Sequence, residues 1–160
     1  MGAVKNMVRG FIFTLVYVLT TMVIPLVTFT LIFNIEIEGN KLLQWEQQDF
    51  QNITFWITAF GLVISGLAFF TFSSPKHSIR RGIFALIQVI VNCLYLWSYK
   101  FSGAAEIGFI IADFGFFTLN VQQMILMYMG IYFLTIVLKF YDIIDFTINR
   151  EKIREKRMKK

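Results

Sequence analysis

Apolar residues run along this chain in four long blocks separated by short polar stretches. The first block covers about residues 11–33 and the second about 53–72. The third covers about 83–99 and the fourth about 121–138, and none of the four contains a charged residue. A helix rises 1.5 Å per residue, so about 20 apolar residues cross the hydrocarbon core of a bilayer. The pattern predicts an all-α membrane protein, a four-transmembrane-helix bundle over residues 1–148 followed by a basic tail over 149–160. The first block is longer than the apolar centre of a signal peptide, which is about 7–15 residues. It reads as a retained span.

The segments between the blocks are unlike one another. Ile35-Glu36-Ile37-Glu38 alternates with period two and meets Gly39-Asn40. That predicts a strand entering a tight turn, with a partner strand through Leu42 and Leu43. Residues 102–120 are almost as apolar as a span, yet carry Glu106 and Asp113 and are broken by Gly108 and Gly115. Three arrangements fit them: lying in the interface, re-entering the membrane, or adding a strand to the first loop. No Gly or Pro follows Gly130, so the fourth helix is expected to continue through the tail. The four-span plan with an outer hairpin is similar in outline to claudin-like tetraspans. Their first-loop signature of a Trp and paired cysteines is missing, and Trp45 alone does not carry the comparison.

Composition and charge sharpen this picture. The chain of 160 residues is 57% hydrophobic and 16% charged, with a mean hydropathy of +0.65. A soluble domain carries about 25% charged residues. The net charge of +5 is not a nucleic-acid signature, because seven of the 15 Lys/Arg lie in the last eleven residues and most others flank apolar blocks. Such clusters set orientation and meet anionic headgroups. Lys5, Arg9, Lys76, Arg80, Arg81 and eight residues from Lys139 onward fall on one side, against Lys41 and Lys100 on the other. The bias predicts cytoplasmic N- and C-termini and a cytoplasmic middle loop. Lys76, Arg80, Arg81, Lys156, Arg157, Lys159 and Lys160 are the candidates for contact with lipid headgroups or a partner. The tail itself reads as a solvated orienting helix, an anionic-lipid binder or a partner handle.

Candidate chemistry is sparse. Cys93 and His77 are the only residues of their kinds, which rules out an internal disulfide and a zinc site of Cys and His alone. No cofactor is implied. No Asp, Glu, Lys, Arg or His lies at the centre of a span, which counts against proton relays, voltage sensing and intramembrane acid–base catalysis. The clearest polar feature is on the third span. Gln88, Asn92, Tyr95 and Tyr99 recur at i, i+4, i+7 and i+11 and so share one helical face. The stripe reads as glue between helices, as the lining of a pore or cavity, or as an interface with another subunit. Gly61, Ser65 and Ala68 make a small-residue face for close helix packing, within the chain or between chains. Pro25 removes a hydrogen bond to the Thr21 carbonyl and predicts a kink. The kink is a static bend or a gating hinge, with Thr20, Thr21 and Thr28 near enough to serve the freed backbone. Asn52-Ile53-Thr54 matches a glycosylation acceptor in an outer loop. Together these features predict a non-enzymatic subunit of a homo-oligomer or larger membrane complex. The alternative is a homo-oligomeric channel or transport pathway lined by the third span.

Overall fold

The computed structural model describes residues 2–37, 40–41, 47–75, 78–102, 104–111 and 115–149. Four helices are long and apolar enough to cross a membrane. The first is composite: α1 (Gly2–Val18), a π-helical turn (Leu19–Val23) and α2 (Ile24–Phe33) run on without a break. The others are α3 (Gln47–Ser73), α4 (Ile79–Phe101) and α5 (Gln122–Ile148). Each helix extends beyond its apolar block, because a helix keeps its backbone bonds after the lipid-facing sequence stops. At the start of α4 the Ser78 hydroxyl accepts the Arg81 N–H at 3.3 Å, a cap that carries the helix ahead of residue 83. At the far end of α5 the helix takes in Lys139 and Asp142, whose side chains meet at 3.5 Å.

Two antiparallel hairpins link the helices. β1 (Glu36–Ile37) pairs with β2 (Asn40–Lys41) in the register Glu36↔Lys41. The expected partner residues Leu42 and Leu43 lie outside the described residues, and the strand turns back sooner than anticipated. β3 (Glu106–Ile111) pairs with β4 (Gly115–Asn120), from Glu106↔Asn120 to Ile111↔Gly115. Of the three arrangements weighed for 102–120, the chain adopts a strand form, but the strands pair with each other and not with the first loop. Local pairing satisfies the backbone at once, without bringing two distant loops together. The hairpin is tied at its base. Asn120 Nδ2 donates to Glu106 Oε1 at 3.0 Å, and Val121 N–H donates to the Ala105 carbonyl at 2.9 Å.

The helices pack in succession: α1 on α3, α3 on α4, and α4 on α5. Ile53, Ile57 and Ala104 form a buried cluster, with Leu26, Phe29, Tyr95 and Tyr99 packed round it. α5 leans on α4, and Ile125 is its one buried residue among those described. Most of its apolar side chains, among them Met127, Phe133 and Leu138, face outward. In water such a surface would aggregate; in a bilayer it is the solvent-facing side.

Candidate functional site

Two predicted features, the proline and the polar stripe, meet. Pro25 has no N–H for the Thr21 carbonyl. Ahead of it the helix widens by one residue, and the Ile24 N–H reaches back to the Leu19 carbonyl. The neighbouring threonines do not serve the freed carbonyl. Thr20, Thr21 and Thr28 each donate to the carbonyl four residues before them, at 2.9, 2.7 and 2.8 Å. The Tyr95 hydroxyl on α4 donates to Thr21 O instead, at 3.2 Å. Tyr95 has one proton, so Tyr99, whose oxygen lies 2.6 Å away, donates to Tyr95. The rings pack among Phe29 and Phe60, at 6.1 and 5.8 Å between centroids. The polar pair is therefore enclosed by aromatic surface at the helix break.

The other half of the stripe is less well satisfied. Gln88 is 5% exposed. Its Oε1 accepts from the Thr71 hydroxyl at 3.2 Å, while that hydroxyl also lies 2.8 Å from the Leu67 carbonyl. One proton serves both acceptors, and Gln88 Nε2 has no partner among the described residues. Asn92, one turn along, is half-buried and makes no hydrogen bond among the described residues. Ser98 turns onto its own helix, donating to the Tyr95 carbonyl at 2.7 Å.

Gly61, Ser65 and Ala68 are all buried inside the chain. A Cβ added at Gly61 would come 2.8 Å from Met22 Cβ. The small side brings α3 against the π-helical turn, next to the carbonyl that Tyr95 serves. Ser65 donates to the Gly61 carbonyl at 2.6 Å. Adjacent Gly66 is exposed, with nothing within 4 Å of an added Cβ.

Charged residues collect at the end of the bundle where α1 begins, α3 ends and α4 starts. Arg9 reaches across to the last carbonyls of α3, donating to Phe72 O at 2.6 and 2.8 Å and to Ser74 O at 2.9 Å. These carbonyls have no helical N–H left to bind, and they carry the negative end of the helix dipole. The Phe72 ring stacks on Phe13 at 3.9 Å, and the Arg81 guanidinium lies 5.8 Å from its centroid. Arg80 is exposed. Lys76 and the tail residues Lys156, Arg157, Lys159 and Lys160 lie outside the described residues. The expected glycosylation tripeptide is helical rather than looped: Asn52 sits in the first turns of α3, and Ile53 beside it is 1% exposed.

Sequence reasoning passed over Arg9 as a helix cap and Thr71 as the partner of Gln88. The signals were present as an arginine ahead of one span and a hydroxyl inside another. The order in which the helices pack, which joins them, has no local signature. No group of three or more His, Cys, Asp or Glu able to hold a metal occurs among the described residues. The chain matches no protein-family model, no curated protein and no solved structure.

Proposed function

We propose that this chain is a non-enzymatic integral membrane subunit that assembles with copies of itself or with other membrane proteins. Asn92 carries the reading. It lies near the middle of α4, half-buried, on the face shared with Gln88 and Tyr95, and its carboxamide is unbonded among the described residues. An amide left unpaired in hydrocarbon costs several kcal/mol, about 4–8 on a water-to-cyclohexane scale. A polar group on a neighbouring subunit relieves that cost and holds the helices together. The broad outward apolar surface of α5 offers a second face for such packing. The non-enzymatic reading rests on the spans, whose centres carry no Asp, Glu, Lys, Arg or His and so lack the paired carboxylates and base–nucleophile pairs that hydrolysis or transfer would use. Thirteen Lys/Arg against two favour cytoplasmic termini.

The alternative, a homo-oligomeric pore lined by α4, draws on the same residue, with water in place of the partner amide. Assembly measured by light scattering in detergent and in nanodiscs tests the reading. Asn92→Leu is expected to shift the protein toward the monomer, whereas Val91→Leu leaves its size unchanged. Equal behaviour of the two variants would sink the subunit reading. Intact assembly combined with loss of ion flux in proteoliposomes would move the assignment to the pore.

A further inference from the structure

At the charged end of the bundle a cavity of about 390 Å³ opens between the first turns of α4 and the last third of α5. Arg81, Lys139 and Asp142 line it together with Ala85, Ile143 and Phe146. Arg81 is half-buried and makes no ion pair among the described residues. One side of its guanidinium is occupied by the Phe72 ring. Lys139 meets Asp142 at 3.5 Å, with both side chains largely exposed, and such a pair is weak. The cavity therefore holds two cations and one loosely paired carboxylate. A partly desolvated arginine without an anion is costly, and its planar fork matches a phosphate.

We propose that this cavity binds the phosphate of an anionic phospholipid. Arg81 and Lys139 grip the phosphodiester, and Ile143 and Phe146 take the first carbons of an acyl chain. Two observations favour lipid over a free anion. Half of the wall is apolar, which inorganic phosphate has no use for. The cavity also lies on the spanning helices themselves, where apolar sequence gives way to charge, at the level a headgroup occupies.

The test uses the full chain in detergent micelles, titrated with phosphatidylglycerol or phosphatidylcholine and read by native mass spectrometry. Wild-type protein is expected to prefer phosphatidylglycerol about tenfold or more, since both lipids carry the phosphate but only phosphatidylcholine brings a quaternary ammonium against the two basic residues. Arg81→Gln lowers that preference about fivefold, and adding Lys139→Gln removes it. Arg80→Gln, exposed and outside the cavity, leaves it unchanged. Asp142→Asn raises the preference, an opposite sign that a folding defect cannot mimic. The proposal is overturned if Arg81→Gln binds as wild type, or if Asp142→Asn fails to tighten binding. It is equally overturned if Arg80→Gln loses as much as Arg81→Gln, which would mean a diffuse basic belt. Displacement of the lipid by millimolar inorganic phosphate would assign the cavity to a free anion instead.

Discussion

Tyr95 does for the first span what no residue of that span does. A proline in a membrane helix leaves a carbonyl with no water to turn to, so the missing donor has to come from protein. Here it comes from 74 residues away, at 3.2 Å. Tyr95→Phe is expected to cost about 1 kcal/mol in reversible unfolding from detergent, the usual size of an interhelical bond in membranes. In a Pro25→Ala background the helix recovers its own N–H, and the same change should cost less, because only the Tyr99 hydroxyl then loses its partner. If Tyr95→Phe costs as much in both backgrounds, the hydroxyl is not serving that carbonyl. Both halves of this contact were legible in the sequence, as a freed carbonyl at Thr21 and a phenol on a polar face. Their pairing was not, because an i, i+4 spacing reports a face and never the helix opposite it.

Among the elements, the π-helical turn and α3 depend on each other. Gly61 is the point of closest approach, with Met22 Cβ 2.8 Å from an added Cβ and Met22 Cα 3.4 Å away. Those atoms belong to the stem of the residue and cannot swing aside. Gly61→Ala should therefore destabilise the fold by about 1–3 kcal/mol. Gly66→Ala, five positions on and facing open space, should be neutral or stabilise by up to about 1 kcal/mol through helix propensity. Thermal unfolding of the two variants side by side decides it, and equal losses would mean that close packing is not what Gly61 provides. The element types themselves were the most readable part of the chain. Hydropathy located the four helices, and period-two alternation located β1. The β3–β4 pairing was harder to read, since in Glu106–Ile111 the alternation gives way to the consecutive apolar residues Phe109, Ile110 and Ile111, a short apolar run that fits strand and helix alike.

For the molecule as a whole, the contact of Arg9 with the end of α3 and the placement of Ser78 and Arg81 beside it put Arg9 and Arg81 at one end, opposite Lys100 in the last turn of α4. In the orientation proposed above, the positive-inside bias gives that end to the cytoplasm. Cysteines introduced singly for Gln47 and Thr118, in a Cys93→Ser background, should react with an impermeant thiol reagent added outside. Cysteines replacing Lys5 and Ser78 should react only after the membrane is opened. Outside labelling at Ser78 would reverse the proposed orientation. Side of the membrane was the aspect most dependent on sequence alone, because it resides in charge counts and not in packing.

The succession of helix contacts has a consequence for how the protein is made. Each span packs chiefly on the one synthesised just before it, and the one long wait is that of the Thr21 carbonyl for Tyr95 on α4. When Phe101 has entered the membrane, the Arg9 and Tyr95 bonds are already available, and α5 arrives as an addition to a finished three-span body. A nascent chain halted there carries no stranded polar backbone at the Pro25 break, which is the fault that quality-control machinery in a membrane would otherwise find.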